Sequence, residues 1–520
     1  MQPLVAVLLI LVAIAVLYAL SIRVGVPYPT LFVLGGLLLA FIPGLPRINL
    51  EPDLVLLVFL PPLLFIAAIE TNIRELRQNI APITRLAFGL VVFTVAVVAI
   101  AVQALVPEMG WAAAITLGAI VAPTDALAAT SVFRRLHTPR LVTALVEGEA
   151  LFNDATALVI YRTGVAVVAG GSFALLTTGA QLIVALVGGI AIGLLVGWLA
   201  AQLLSRVDEP TVEVIISFVV PFAAYLPADV LGVSGVLAAV TAGLVIGSRY
   251  GRILTARSRT LWLFSWKMVG FVLNGFVFLL IGLELPTVAE ALQARGRIEL
   301  AVVVVVVCLV VIGTRFVWTY VASLLPNTPY RRIARRDLRL ARYGRFIVGW
   351  AGLRGAVSLA AALALPRDFP ERDLILLVTF AVIIVTLVGQ GLTLPWVVRR
   401  AGFGALNIDG DEPTMARQAA YAAGLDEIGR QRDTWADEHK PLLDRLESGL
   451  QDRTQHLATE DPTETAERNQ EHEEHQQIQL AVIGAQRAAV IALRDARQIN
   501  DQTLRLVERE LDLEELRMEG

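Results

Sequence analysis

Cysteine is almost missing from these 520 residues. Cys308 stands alone, so a single chain can form neither a disulfide framework nor a thiolate metal site. Histidine is scarce as well: of five, His439, His456, His472 and His475 fall in polar stretches near the end and His137 in a polar link. That leaves the apolar part without a His-rich metal cluster or a nucleophile–base spacing, which argues against a membrane-embedded enzyme. Charge is thin, at 17% Asp, Glu, Lys and Arg, where a soluble domain carries about 25%. The basic residues that exist are scattered over short links and form no stripe, which excludes nucleic acid as a partner.

Apolar sequence fills the space that charge leaves. The chain is 56% hydrophobic with a mean hydropathy of +0.68, and the average hides two unlike parts. Residues 1–405 are long apolar runs broken by short polar links; residues 406–520 are charged. A helix needs about 20 mostly apolar residues to cross a bilayer. The runs predict about thirteen crossings, near 3–20, 29–42, 54–69, 86–105, 111–133, 141–169, 174–204, 212–226, 230–248, 260–283, 299–325, 346–365 and 374–398. The first run, Pro3 to Leu20, lacks a positive stretch before it and a small-x-small site after it, so it reads as a membrane helix and not a cleaved leader.

Arginine distribution tests that reading independently. Alternate links are rich in arginine: Arg74, Arg77 and Arg85; Arg134, Arg135 and Arg140; Arg249, Arg252, Arg257 and Arg259; then Arg331 to Arg345, and finally Arg399 and Arg400. The intervening links carry few, mainly Arg47, Arg295, Arg297, Arg367 and Arg372. Cytoplasmic loops hold the excess of Lys and Arg, which predicts an inner-membrane protein with its N-terminus outside and its tail in the cytoplasm. In that tail Ile478, Val482, Ala485, Ala489 and Leu493, then Leu504, Leu511 and Leu516, recur at helical spacing and predict a helical segment.

Ionisable residues inside membrane spans cost roughly 2.5–3.5 kcal/mol each and mark function or a specific partner. The fifth span holds Ala122-Pro123-Thr124-Asp125 in its middle, where proline must break the helix. Asp125 either caps the following half-helix or binds an ion directly. The sixth span opens with Glu147 and runs Glu149-Ala150-Leu151-Phe152-Asn153-Asp154. Glu149 and Asn153 are four apart and share a face, while Asp154 points about 100° further round. The twelfth span holds Gly349-Trp350-Ala351-Gly352-Leu353-Arg354-Gly355, a second predicted interruption. Two interrupted helices in corresponding halves point to inverted repeats and a midplane site. Arg315, in the eleventh span, is the remaining deep cation and a natural partner for Glu149, since either alone would be costly. Lys267 sits at a span edge and Asn274 lies deeper in the same span.

These motifs resemble the cation/proton antiporters of the NhaP and NHE type over roughly residues 5–400. Glu149 to Asp154 is similar to that family's E-S-x-x-N-D, and Pro123-Thr124-Asp125 to its T-D-P break. Gly352-Leu353-Arg354-Gly355-Ala356-Val357 is similar to its G-L-R-G-A, and Leu60-Pro61-Pro62-Leu63-Leu64-Phe65 to its double-proline third span. The resemblance implies an all-α membrane fold of thirteen helices, a homodimer, and a core holding two crossed interrupted helices. It also implies Asp154 as carrier of cation and proton, Asn153 as its companion, Thr124 as a ligand, and Glu149 paired with Arg315. The substrates implied are Na⁺ or Li⁺ and H⁺, with no cofactor; K⁺/H⁺ exchange on the same fold is the alternative, and a cation channel a weaker one. Three positions depart from the family pattern: Ala150 stands where it has serine, Ala126 where it has proline, and Ile66 where some relatives have an acid. Because Asn153 is not a second acid, the exchange is expected to be electroneutral.

Overall fold

The computed structural model describes residues 2–42, 52–136, 138–171, 175–291, 296–324, 338–401, 411–434, 439–458, 462–496, 498 and 501–519. His137, Arg47, Arg295 and residues 325–337 of the most basic link lie outside them. Among the described residues there is no strand; the fold is all-α. The chain divides into two compact units, Met1–Leu406 and Asn407–Gly520.

In the first unit, ten helices among the described residues are long and apolar enough to cross a bilayer. The other three predicted crossings fall on shorter pieces. Two are the apolar helices Tyr28–Ala40 and Leu57–Glu70. The third is a pair of half-helices, Leu338–Trp350 and Ala356–Leu363. Length and composition therefore support about ten crossings, not the full thirteen. The lone leucines, valines and isoleucines exposed along Val7–Val24 and Gly179–Leu204 fit a lipid-facing surface, because lipid requires no polar exterior.

Two interruptions organise the interior. The predicted fifth span splits into Gly110–Val121 and Ala126–Arg135. The first half has 12 residues, so it rises roughly 18 Å and ends near the middle of a hydrocarbon layer about 30 Å thick. The predicted twelfth span breaks at residues 351–355, between a 13-residue and an 8-residue half. Two further irregularities are single wide π turns, Arg85–Leu90 and Val385–Gln390, each inside a longer helix. By contrast Pro61 and Pro62, adjacent in sequence, do not break the helix Pro52–Glu70.

The second unit is helical throughout its described length. Helix Asp411–Thr434 pairs with Lys440–Ala458 through Arg432, which bonds both Asp444 and Glu447 at 2.6 Å. Helix Pro462–Asp495 pairs with Asp501–Glu519 through Arg487, which bonds Asp512 and Glu515 at 2.7 Å. Ile483, Leu504 and Leu511 are buried, whereas Ile478, Val482 and Leu493 of the predicted stripe are exposed. Leu504 and Leu511 therefore pack as the periodicity predicts, whereas helix Pro462–Asp495 buries a face turned away from the predicted one.

Candidate functional site

Each broken helix leaves backbone donors and acceptors without partners, and in a membrane interior these must be satisfied by protein. The two breaks satisfy each other. The Asp125 amide donates to the Leu353 carbonyl at 2.7 Å. The Asp125 carboxylate accepts from the Leu127 amide at 2.8 Å, capping the half-helix Ala126–Arg135, and its other oxygen lies against Gly355. A negative group at a helix N-terminus is favourable. Arg354 does the converse. Its Nε donates to the Val121 carbonyl at 3.0 Å, at the C-terminal end of Gly110–Val121, and its guanidinium also bonds the Gly352 carbonyl. The Thr386 hydroxyl accepts from the Arg354 amide at 3.1 Å.

Neither Gly352 nor Gly355 adopts a positive φ. What they supply is room. A Cβ on Gly352 would run into the Arg315 side chain, and one on Gly355 into the Asp125 carboxylate. Both glycines let a charged side chain lie directly on the backbone of the break.

Beside this crossing, helix Arg140–Val168 presents its polar residues in two directions. Glu149 and Arg315, each only 1% exposed, form a two-pronged ion pair, with one bond at 2.9 Å. Arg315 also donates from Nε to the Val348 carbonyl at 2.9 Å. The Thr124 hydroxyl donates to Glu149 at 2.9 Å and accepts from the Asn153 amide at 2.9 Å. Asn153 thus reaches the first break through Thr124, in a buried network that fixes the break to the helix beside it.

Asp154 faces the other way. Together with Thr124, Asp125, Ala126 and Ala150 it lines a cavity of about 560 Å³. It is 5% exposed, and among the described residues its carboxylate has no hydrogen bond or ion pair. Glu70, Arg134, Glu147 and Lys267, all at least partly exposed, line the cavity and open it at one end. There Arg134 bonds Glu70 at 3.0 Å and lies 3.7 Å from Glu147. Ile66 and Asn274 belong to the lining too, the latter donating to the Gly270 carbonyl at 2.8 Å. An isolated buried carboxylate is costly as an anion, so it can hold one proton or one cation from the cavity.

Sequence reasoning missed Ser358, Thr130 and Ser131, which line the same cavity; it named Arg134, Glu147 and Lys267 but not their meeting at its mouth. Ser358 stands three residues after Gly355, one helical turn past the second break, and that spacing is the signal that could have found it.

An unpartnered acid beside two helices broken at mid-depth defines a secondary transporter for a small cation. The sequence comparisons narrow the class. Residues 7–400 match the family model described as sodium/hydrogen exchanger, transmembrane, and the chain belongs to that family of multi-pass membrane transporters. A protein of Mycobacterium tuberculosis described as an uncharacterized Na⁺/H⁺ exchanger is 35% identical, over 99% of this chain and 96% of its own. The low-affinity Na⁺/H⁺ antiporter NhaS1 of Synechocystis is 34% identical over 76% of this chain and 72% of its own. The solved sodium proton antiporter MjNhaP1 of Methanocaldococcus jannaschii shares the fold, with a TM-score of 0.59 at 19% identity over 77% of this chain and 99% of its own.

Proposed function

We propose that the chain exchanges Na⁺ or Li⁺ for H⁺ by alternating access, with cation and proton competing for Asp154. The observation that carries this reading is the unpartnered Asp154 carboxylate on the wall of an open cavity. One carboxylate that must be neutralised before it crosses a membrane enforces exchange without a motor, because it returns only with the other ion. Asn153, Thr124, Glu149 and Arg315 hold the first break in register with the Asp154 helix, and Asp125 and Arg354 neutralise the half-helix ends. The family membership and the names of its relatives support Na⁺ as the cation.

The arginine-rich links support an inner-membrane protein with its N-terminus outside and its tail, residues 406–520, in the cytoplasm. Arg134 belongs to one of those links, so the cavity mouth it lines opens to the cytoplasm in this conformation. The functional unit in this reading is a homodimer.

The test is dequenching of a pH-sensitive dye in everted vesicles, with the wild type and Asp154→Asn compared for Na⁺, Li⁺ and K⁺. Dequenching in the wild type that disappears in the variant is the expected result, and the most effective cation names the substrate. A K⁺ preference would move the assignment to K⁺/H⁺ exchange. Exchange that survives the substitution would overturn the single-carboxylate mechanism.

A further inference from the structure

A cation that enters the site gives up water, and oxygens of the protein must replace it. Most hydroxyl and amide groups around the cavity already have a hydrogen-bond partner in the protein. Thr124 donates to Glu149 and accepts from Asn153, Thr130 donates to the Leu127 carbonyl, and Ser131 donates to the Ala128 carbonyl. Residue 150, one turn before Asp154 on the same lining, is an alanine and offers no oxygen.

Ser358 differs from all of these. It lines the same cavity and is 1% exposed, yet its Oγ makes no hydrogen bond to the protein. The reason is local. Serines and threonines in membrane helices usually give their proton to a carbonyl three or four residues back, as Thr116, Ser217 and Thr379 do here. Ser358 is the third residue of Ala356–Leu363, so the carbonyls at those spacings belong to Arg354 and Gly355 in the break. The interruption that makes the site also frees this hydroxyl. The same short stretch touches the acid's surroundings on both sides: Gly355 lies on Asp125, and Val357 packs against a buried apolar cluster that includes Leu151 and Ala155 of the Asp154 helix.

We propose that Ser358 Oγ is a ligand of the monovalent cation held by Asp154, supplying from the second broken helix the oxygen that Ala150 does not. The inference rests on the exchange reading of this cavity and assigns to Ser358 a share in cation selectivity. A cation so held bridges the Asp154 helix and the second break, whereas a proton on Asp154 does not need Ser358.

The experiment uses the full-length protein with two readouts: the half-saturating concentrations of Na⁺, Li⁺ and K⁺ in vesicle exchange, and cation-induced thermal stabilisation of the purified protein. Ser358→Ala should raise the half-saturating concentration of the preferred cation about tenfold, the worth of one lost polar contact, with the maximal rate at saturating cation retained. Ser358→Cys keeps the size but replaces a hard oxygen by a soft sulfur that suits alkali cations poorly, so it should show the same weakening even if the alanine variant fails to insert. Adding Ala150→Ser to Ser358→Ala should restore part of the affinity. Wild-type half-saturation and stabilisation in both Ser358 variants, beside an active wild type, would overturn the role of Ser358 alone. A wild type without cation-driven proton movement would sink the exchange reading instead.

Discussion

The amide of Asp125 donates to the carbonyl of Leu353 across 2.7 Å, joining two interrupted helices at the point where each has lost its own ladder. A backbone bond of this kind is independent of side chains and holds the crossing at one separation. The two charged residues next to it act on the helix ends: Asp125 on the N-terminal amides of Ala126–Arg135, Arg354 on the C-terminal carbonyl of Val121. The crossing thus sets a group of opposite charge against each helix end, which suits a site in a low-dielectric layer.

Gly355→Ala should separate the two breaks. Its new Cβ would fall on the Asp125 carboxylate, and relieving that overlap costs about 1–3 kcal/mol. The expected outcome is a protein that inserts but exchanges slowly, as measured in vesicles after normalising for its amount in the membrane. Wild-type exchange would show that the crossing tolerates a shift and that close approach is not required there.

Arg354→Ala would leave the Val121 and Gly352 carbonyls without their donor in the interior. Each unsatisfied buried group costs about 1–3 kcal/mol, so thermal stability in detergent should fall clearly. Arg354→Lys keeps the charge but cannot present two donors in a fixed plane, and should recover only part of the loss. Equal stability of the lysine variant and the wild type would mean that charge alone, without the fork of donors, holds these ends.

How far the sequence revealed this site depends on the kind of residue. Pro123 marked the first break because proline has no amide to give, and Gly352 to Gly355 marked the second. Charged residues inside apolar runs drew attention to Glu149, Asp154, Arg315 and Arg354 for the same energetic reason. The backbone carbonyls of Val121, Val348 and Leu353 carry the architecture, yet any residue type supplies a carbonyl, so nothing in the sequence singles them out. The π turns at 85–90 and 385–390 are equally silent, since they involve no proline. Ser358 was passed over because a serine in a helix ordinarily satisfies itself, and only the position of the break shows that this one does not. The count of crossings differs for a related reason: the apolar runs at 29–42, 54–69 and 346–365 fold into helices too short, singly, to span a bilayer.

Glu149 and Arg315 should behave as a unit. Removing one partner strands a buried charge, at a cost of about 3–5 kcal/mol, whereas replacing both with apolar residues of similar volume can be near neutral. Glu149→Leu and Arg315→Met should therefore each reduce the amount of folded protein, and the double variant should recover folding in detergent by size-exclusion profile. Exchange should stay impaired in the double variant, because Glu149 also accepts from Thr124 and so fixes the first break. Additive loss of folding in the double variant would contradict the picture of a mutually compensating pair.

Voltage offers the sharpest test of stoichiometry. Asp125, Glu149, Arg315 and Arg354 stay with the protein, so whatever field they cross in one half-cycle they cross back in the other. Only the cargo counts over a full turn. Among the described acids that line the cavity, Asp154 is the one without a hydrogen bond or ion pair, and Asn153 adds no charge, so one cation should leave for one proton. A net elementary charge moved against 100 mV would involve about 2.3 kcal/mol, a roughly fiftyfold shift in the exchange equilibrium. Proteoliposomes held at imposed potentials should show the same Na⁺ gradient balancing the same pH gradient at every voltage. A balance point that moves with potential would require a second proton, and would direct attention to Asp125 or to the acids Glu70 and Glu147 at the cavity mouth as its carrier.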